Sequence, residues 1–434
     1  MATYHIGVDS TDSAELGMCT TYLGARLLEE FSDYELMAPP ELVRLNPNIP
    51  WKTRGNGAIA IRMSGEENRA ETILERAARI TEELSVLEDP QTNPGLAVVQ
   101  GSIHPEINQL YRDALHDIIK IERAEEIAEE HGIPHRTWKS GRGLIGALSA
   151  IGFRSEERTY ETILYRSPDI KVKDRGVDLE SIRNAAGKYP STFFNLDEDG
   201  RPVCIPHSPC PVILGIRGTD PEDTREAALS IEVKERERWV LWSTNQHTDA
   251  HIMELKSLKG LRDYASVSIP LWVNSPPEYT PGGHLQFGCR DSAGRITNCA
   301  AYEPTKSFRK YLSKLIKGDG IRVWGGVRPP EANHPRTINL EKVEIQKPVM
   351  RKREVNPTCE ECGSRLESMG RYQGMRCKGC RKRYPEAEKI IETISRDLKK
   401  GVLQPPKTAW RHLFKPVGLK FKEAGKVSGK YWGF

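Results

Sequence analysis

Four cysteines in the C-terminal part of the sequence have the spacing of a zinc site. Cys359 and Cys362 form one Cys-x2-Cys pair, Cys377 and Cys380 form a second, and 14 residues separate the two pairs. Each pair can present two thiolates to a single tetrahedral ion. Because four protein ligands leave no open coordination position, we expect a structural zinc ion rather than a catalytic one.

A second group of reactive side chains lies near the start of the sequence. An apolar run over residues 4–8 leads into a polar loop with Asp9 and Asp12, and a helical pattern follows Gly17. This order suits a phosphate and its Mg²⁺ ion, because carboxylates bind the metal and backbone N–H groups at a helix start meet the anion. The pair of aspartates is weak evidence alone, since such pairs more often cap helices and form turns.

A cationic turn precedes the strand predicted over residues 58–61. Lys52, Arg54, Gly55 and Gly57 offer positive charge and bare backbone N–H groups together, as a polyphosphate requires. A hairpin turn with solvated charges explains the same residues equally well. The glycine-rich stretch at 139–148 lacks the spacing of a nucleotide-binding P-loop, and close packing of a helix on a sheet would account for it.

The composition describes a soluble globular protein of several domains. The 434 residues are too many for one hydrophobic core, so we expect three or more domains. With 38% hydrophobic and 29% charged residues and no apolar run of about 18, the sequence excludes a membrane bundle. The N-terminus has no secretory pattern, and five cysteines are scattered, which indicates reduced thiols and a cytoplasmic protein.

The net charge of +4 conceals an uneven distribution. Residues 351–434 hold 21 lysines and arginines against 9 acidic residues, a net charge of +12, so residues 1–350 carry −8. A basic end with interleaved aromatic residues predicts a polyanion surface, and a solubilising tail is the alternative. Folded RNA needs cations for phosphates and aromatic faces for bases. The RNA-binding candidates are Arg351, Lys352, Arg353, Arg381, Lys382, Arg383, Trp410 and Arg411.

The pattern of predicted elements changes along the chain. Strands and helices alternate up to about residue 234, which indicates α+β domains. From residue 235 the sequence reads as β-strands, and a helix at 307–316 stands between the third and fourth of the last five. That order is typical of an OB-fold barrel, which commonly binds single-stranded nucleic acid, although a barrel that serves only domain packing has the same order. After Pro385 the apolar spacing predicts a helix that runs to Lys400.

Six sequence motifs in a fixed order then resemble one family, the archaeal isoleucine-tRNA 2-agmatinylcytidine synthetases. They occupy residues 7–13, 17–22, 44–57, 143–147, 210–218 and 244–251. The resemblance implies a multidomain α+β protein. Its parts are an atypical kinase-like ATP-binding domain at 1–125, a ferredoxin-like domain at 126–234, an OB-fold domain at 235–347, a zinc ribbon at 351–386 and a basic C-terminal helix and tail at 387–434.

The resemblance also implies the reaction. The family joins agmatine to C2 of the wobble cytidine in the isoleucine tRNA with a CAU anticodon, converting ATP to AMP and pyrophosphate. The cytidine C2 oxygen is phosphorylated first, which turns a poor leaving group into a good one. The modified tRNA then reads AUA codons. Isoleucine tRNA and agmatine are therefore the expected partners, with ATP, Mg²⁺ and structural Zn²⁺ as cofactors, and with no membrane and no obligate protein partner.

The family's residues can be carried over by motif. Asp9 and Asp12 would hold Mg²⁺, and Thr20 corresponds to the family's self-phosphorylated threonine. The residues expected at ATP are Ser10, Thr11, Lys52, Thr53, Arg54, Gly55, Asn56 and Gly57. Those expected near agmatine are Gly143, Ile145, Gly146, Cys210 and Gly215. Ser10 departs from the family pattern, which usually has a second aspartate at this position.

Two other functions fit parts of the sequence. A non-catalytic single-stranded nucleic-acid-binding protein would use the OB fold and zinc ribbon and carry a degenerate N-terminal domain. The turn at residues 52–57 argues against it, because a degenerate domain has no need of a phosphate clamp. A kinase or phosphatase acting on proteins would explain neither the barrel nor the basic tail.

Overall fold

The computed structural model describes residues 1–170, 174–332, 334–422 and 427–434. The expected ferredoxin-like domain and tail each include some residues outside these ranges. Within the described parts of the chain, no helix combines the length and apolarity needed to cross a membrane. The mixed α+β fold class with several domains is confirmed.

The N-terminal domain consists of strands with helices packed on both faces. Helix α2 shows why such segments are helical, since Ile73, Ala77, Ile80 and Leu84 recur at helical spacing and are all buried. Its elements are β1 (Ala2–Asp9), α1 (Thr20–Glu30), β2 (Glu35–Leu36), β3 (Glu41–Arg44), β4 (Gly57–Gly65), α2 (Ala70–Leu84), β5 (Gly95–Gln100), α3 (Pro105–His116), α4 (Ile121–Glu130), β6 (His135–Thr137) and α5 (Gly143–Ile151).

The second domain has the βαββαβ order of a ferredoxin-like fold. Aspartate side chains cap both of its helices, with Asp178 accepting from the Ser181 N–H and Asp220 from the Asp223 N–H. Its elements are β7 (Thr159–Tyr165), α6 (Leu179–Lys188), β8 (Thr192–Phe193), β9 (Val212–Gly218), α7 (Pro221–Leu229) and β10 (Arg238–Thr244).

A single sheet joins these two domains. Its strand order is β6-β5-β1-β4-β3-β10-β7-β9-β8, and β10 pairs in parallel with β3 and antiparallel with β7. Strand β10 is thus the fourth strand of the ferredoxin-like unit, so the boundary expected at residue 235 comes one strand too early. The aromatic residues of β10 suggested a barrel strand, but Trp242 is fully buried in the core of this sheet.

Helix α5 lies unusually close to the sheet of the first domain. A Cβ at Gly7 would lie 2.1 Å from the Ala147 carbonyl oxygen, and one at Gly95 would lie 2.0 Å from the Leu144 nitrogen. Only glycine permits this approach. The helix lies in the segment expected for the second domain, and it packs on β1 and β5 of the first, with its first turn over the end of β1.

The third domain is the OB-fold barrel that the strand order predicted. Strands β12, β14, β15, β17 and β16 pair in that order, and β12 also pairs with β16, which closes the barrel. The elements are β11 (Ile252–Glu254), β12 (Ser266–Val273), β13 (Glu278–Tyr279), β14 (Leu285–Arg290), β15 (Ile296–Ala301), α8 (Ser307–Leu312), β16 (Gly320–Arg328) and β17 (Thr337–Lys347).

The remaining strands build the zinc ribbon and the segments around it. Strands β19, β20 and β21 form a small sheet, β18 pairs with β22, β23 adds to the barrel at β17, and β24 adds to the first sheet at β10. Their bounds are β18 (Arg351–Val355), β19 (Leu366–Ser368), β20 (Met375–Cys377), β21 (Arg383–Tyr384), β22 (Ile390–Ile394), β23 (Gly401–Leu403) and β24 (Trp432–Gly433).

The helix predicted after Pro385 is wrong. Residues 390–394 form strand β22, which pairs antiparallel with β18 along its whole length. This segment is rich in β-branched isoleucine and threonine, which favour strands. Its apolar spacing misled the prediction, because Ile390 and Ile391 are exposed and only Leu398 reaches the barrel core.

Candidate functional site

A cavity of about 360 Å³ lies between the first two domains. It brings together most of the residues that the sequence motifs singled out, although they are far apart in the chain. The predicted residues that line it are Asp9, Ser10, Asp12, Thr20, Lys52, Thr53, Arg54, Gly55, Asn56, Gly57, Ile145, Gly146, Cys210, Gly215 and Trp410. Thr11 lies behind this surface, and Gly143 packs against Gly95 instead of lining it.

Asp9 projects from the end of β1 towards the first turn of α5. Its Oδ1 accepts a hydrogen bond of 2.7 Å from the Ser10 N–H, and a Cβ at Gly146 would lie 1.9 Å from its Oδ2. Burial raises the pKa of Asp9 to about 7, and the neighbouring Asp12 charge acts in the same direction. A half-buried carboxyl beside a second one, with no salt bridge to a cation among the described residues, fits a Mg²⁺ ligand.

Ser10 turns the acidic loop away from the strand. Its backbone has a φ of +61°, and its hydroxyl accepts a hydrogen bond of 3.1 Å from the Asn93 N–H. Where the family usually has a second aspartate, this side chain therefore holds the neighbouring loop in place.

Asp12 connects the acidic loop to the cationic turn. Its Oδ1 accepts a hydrogen bond of 2.5 Å from the Thr53 hydroxyl, and its Oδ2 is ion-paired with Arg54. The Arg54 guanidinium also donates to the Met18 carbonyl at 2.5 Å and to the Ser208 hydroxyl at 3.2 Å. The two segments that the sequence analysis treated as separate motifs are therefore one hydrogen-bonded unit.

Thr20 is the first residue of α1 and is almost fully buried. Its hydroxyl accepts a hydrogen bond of 3.0 Å from the Thr11 hydroxyl. Thr11 stands behind the cavity surface, and its hydrogen bond orients Thr20, which faces the cavity.

The opposite wall carries charged residues that the sequence analysis missed. Glu161 on β7 accepts from Arg217 on β9 at 3.0 Å and from the Gln246 amide at 2.5 Å. Although burial opposes it, the Arg217 and Arg44 guanidinium groups keep the pKa of Glu161 below its usual value. A glutamate within the fully buried strand Thr159–Tyr165 is the local signal that could have identified this wall.

Two candidates for agmatine contact, Cys210 and Gly215, lie on the same wall. Arg175 donates to the Cys210 carbonyl at 2.7 Å and to the Ser208 carbonyl at 2.6 Å, which fixes the backbone of this segment. A Cβ at Gly215 would lie 2.6 Å from Glu161 Oε1, so the glycine leaves room for that carboxylate.

The four cysteines converge as their spacing predicted. All four Sγ atoms lie within 4.8 Å of one another, with Cys359 and Cys380 3.6 Å apart and Cys362 and Cys377 3.2 Å apart. Tetrahedral Zn²⁺ with thiolate bonds of about 2.3 Å places its ligands about 3.8 Å apart. The donor set and its geometry therefore fit zinc.

The basic residues proposed for RNA lie in two different settings. Those next to the ribbon, at 351–353 and 381–383, are exposed, and Arg411 is exposed as well. Trp410 is half-buried: it lines the cavity and stacks on Phe194 with ring centroids 5.7 Å apart. Other tail cations contact the acidic body, for example Lys415 with Glu157 at 3.1 Å.

Comparisons with known proteins match nearly the whole chain to one family. Three family models match: the TiaS TCKD domain at residues 5–140, the TiaS FLD domain at 141–251 and the TiaS C-terminal zinc ribbon domain at 356–398. The isoleucine-tRNA 2-agmatinylcytidine synthetase TiaS of Methanosarcina mazei is 40% identical over 423 residues, which are 95% of this chain and 96% of the relative. That of Pyrococcus horikoshii is 37% identical, over 96% of this chain and 98% of the relative.

Solved structures show the same similarity. A complex of TiaS with its isoleucine tRNA and ATP superposes with a TM-score of 0.86 at 36% identity, covering 98% of this chain and 99% of that one. A complex of TiaS with the same tRNA, AMPCPP and agmatine superposes with a TM-score of 0.83 at 32% identity, with the same coverage. On the family models, the full-length identities and the shared architecture, this chain belongs to the TiaS family of isoleucine-tRNA 2-agmatinylcytidine synthetases.

Proposed function

We propose that this chain is an ATP-dependent ligase that joins agmatine to C2 of the wobble cytidine in the isoleucine tRNA with a CAU anticodon. The observation that carries the proposal is the cavity, where the acidic loop, the cationic turn and Thr20 face a second wall from the ferredoxin-like domain. Relatives of nearly equal length bear the name of this activity. A purely nucleic-acid-binding protein would have no use for this arrangement.

The residues divide into roles by their chemistry. Asp9 would hold Mg²⁺, which when bound offsets charge on the transferred phosphoryl group, and Asp12 would share in this while it orients Arg54. Lys52 and the backbone at Gly55 and Gly57 would contact the triphosphate. The remaining proposed ATP contacts are Ser10, Thr53, Arg54 and Asn56. Thr20 is the proposed phosphoryl acceptor within the protein, and Thr11, which was expected at ATP, instead orients Thr20 from behind the cavity surface.

Agmatine carries two positive charges, so its site needs hydrogen-bond acceptors. We place it beside Ile145, Gly146, Cys210 and Gly215, with Gly143 supporting the wall from behind.

The exposed cations at residues 351–353 and 381–383 would contact tRNA phosphates, as would Arg411. None of the nine cysteines forms a disulfide bond, which supports a cytoplasmic location.

The direct test is the reaction itself. Protein, ATP, agmatine and transcribed tRNA are incubated, the nucleotides are separated, and the digested tRNA is analysed by mass spectrometry. We expect AMP and a wobble cytidine carrying agmatine. A transcript with uridine at the wobble position is the matched control and should remain unmodified. Turnover that ignores tRNA, or ADP as the sole nucleotide product, would contradict the proposal.

Loss of the ribbon zinc should weaken tRNA binding and leave ATP binding nearly unchanged. The Cys377 side chain is fully buried, so Cys377→Ser removes a ligand from the centre of the ribbon. We expect a loss of about tenfold or more in tRNA affinity with ATP affinity within about twofold, because the metal folds only its own module. Filter binding and calorimetry measure the two affinities.

The control for this variant is Ser368→Ala, which alters an exposed residue of the ribbon outside the four-cysteine group. Chelation of the wild-type protein should reproduce the Cys377→Ser phenotype, and added Zn²⁺ should reverse it. An equal loss of both affinities would show that the ribbon and the cavity do not behave as separate modules.

A further inference from the structure

The cavity wall is completed by a segment from outside both cavity-forming domains. After β23 pairs with the barrel, the chain passes Trp410 and His412 across the cavity. The His412 carbonyl accepts from the His247 N–H and the Leu413 carbonyl from the Asp249 N–H, both at 2.8 Å. These backbone bonds hold the segment firmly against the loop that follows β10.

A chain of hydrogen bonds favours the His412 tautomer with its hydrogen on Nδ1. Glu161 accepts from the Gln246 Nε2 amide, so the Gln246 Oε1 oxygen is the atom that faces His412 Nδ1, at 2.9 Å. Because an amide oxygen only accepts, Nδ1 carries the hydrogen and Nε2 keeps a lone pair. The Arg217 Nη2 atom lies farther from Nδ1, at 3.2 Å. If Nδ1 instead held a lone pair and accepted from Arg217, it would face the Gln246 oxygen, a second acceptor, at 2.9 Å. Among the described residues, no hydrogen-bond partner reaches Nε2.

The Nε2 edge of the ring lies beside the cationic turn. A Cβ at Gly55 would lie 2.8 Å from His412 Nε2, and His412 lines the cavity. The unoccupied acceptor therefore stands next to the loop proposed for the triphosphate and opposite the acidic loop. Few other acceptors on this side are free, since the Glu161 carboxylate is bound by Arg217 and Gln246.

The charges around the ring keep it neutral in the free protein. Burial, followed by the Arg44 and Arg217 guanidinium groups, holds the pKa of His412 well below its usual value. The groups that face it come from five segments: Arg44 of β3, Arg54 of the cationic turn, Glu161 of β7 through Gln246, Arg217 of β9 and His247 after β10. Phosphates that entered the cavity would offset the guanidinium charge, and the acceptor would become more basic.

We propose that His412 is the catalytic residue that accepts a proton from the incoming amine. This inference rests on the proposed function. The primary amine of agmatine arrives as an ammonium ion, because such amines have a pKa of about 10, and an ammonium nitrogen has no lone pair for attack.

The atoms and electrons of the step balance. One ammonium N–H bond breaks, its proton forms an N–H bond with His412 Nε2, and the electron pair stays on the amine nitrogen. That pair forms the bond to cytidine C2, while the π pair between C2 and a ring nitrogen moves onto that nitrogen. The π bond then re-forms as the bond from C2 to the phosphorylated oxygen breaks. The electrons of the broken bond leave with that oxygen, which takes up a second proton from the attacking nitrogen.

The experiment measures the two chemical steps separately in the full-length chain with tRNA. Formation of phosphorylated tRNA without agmatine reports the first step, and agmatine incorporation from about pH 6.5 to about pH 9.5 reports the second. For His412→Gln and His412→Ala we expect phosphorylation within about threefold of wild type and incorporation about 100-fold slower at neutral pH. The loss should shrink as the pH rises, because more of the amine is then neutral in solution.

Further measurements distinguish a catalytic His412 from a histidine that only builds the cavity wall. Added imidazole should restore incorporation by His412→Ala, and Gln246→Leu, which frees the tautomer, should show a smaller loss with the same pH dependence. His135→Gln, in a histidine of β6 outside the cavity lining, is the matched control. If both steps fall together, or the loss is constant with pH, His412 only builds the wall and the inference fails. Absence of product from the wild type would instead overturn the proposed function.

Discussion

Asp9→Asn is expected to lower tRNA-dependent AMP formation by about a thousandfold and to raise the melting temperature of the metal-free protein. The loss follows because asparagine keeps the size of the side chain and removes the charge that would hold Mg²⁺ against the phosphates. The gain follows because burial penalises the same charge in the free protein.

The sign of the stability change is fixed by the direction of the pKa shift. In the metal-free folded protein the Asp9 pKa is raised from 3.8 to about 7, so the folded state binds this proton more tightly than the unfolded chain. Stability from this group is present below about pH 3.8 and declines as the pH rises through about 7. The advantage of Asp9→Asn should therefore be larger at pH 8 than at about pH 5.

Thermal melting without metal measures the change in stability. An assay of AMP formation with saturating tRNA measures the loss of activity. Glu15→Gln, an exposed carboxylate in the same loop, is the control and should change neither quantity. Activity near the wild-type level in Asp9→Asn would remove Asp9 from the proposed metal site.

Arg54→Lys is expected to weaken ATP binding and lower turnover by about a hundredfold. The guanidinium contacts Asp12, the Met18 carbonyl and the Ser208 hydroxyl at once, and so ties the two loops to the second domain. A lysine ammonium is a point charge that cannot span these three directions. Arg54→Ala should in addition lower the free energy of unfolding by about 3 kcal/mol, because it leaves the largely buried Asp12 without its cation.

Calorimetry with ATP and denaturant unfolding measure these changes. Arg69→Lys is the matched control, since Arg69 pairs with Glu66 at 2.5 Å on an exposed surface where such pairs contribute little. If Arg54→Lys binds ATP like the wild type, the three contacts of Arg54 are not needed to shape the site.

Features that depend on local sequence were predictable. The Cys-x2-Cys spacing defined the zinc ribbon, and the position of one helix among five strands defined the OB fold. The acidic loop and the cationic turn were also identified, because each is a contiguous motif. What local sequence did not reveal is that Asp12 and Arg54 bond to each other, since they stand 42 positions apart in the chain.

The errors have physical causes as well. The isoleucines at 390, 391 and 394 satisfy a helical spacing, but pairing with β18 and their β-branched side chains favour a strand. Cys210 and Gly215 of the far wall were predicted, but its charged pair was missed, because Glu161 and Arg217 meet only through pairing of β7 with β9. His412 carries no local signal, since it lies in a basic tail whose composition suggested an outer surface.

The order in which the chain is translated determines when the shared cavity can be completed. Arg217 and His412 meet at 3.2 Å although 195 residues separate them, and the barrel and zinc ribbon are encoded in between. The ribosome must therefore complete both of those domains before the first two can close their cavity. A nascent or prematurely terminated chain that already has every acidic-loop residue would still lack the part of the cavity wall that Trp410 and His412 form.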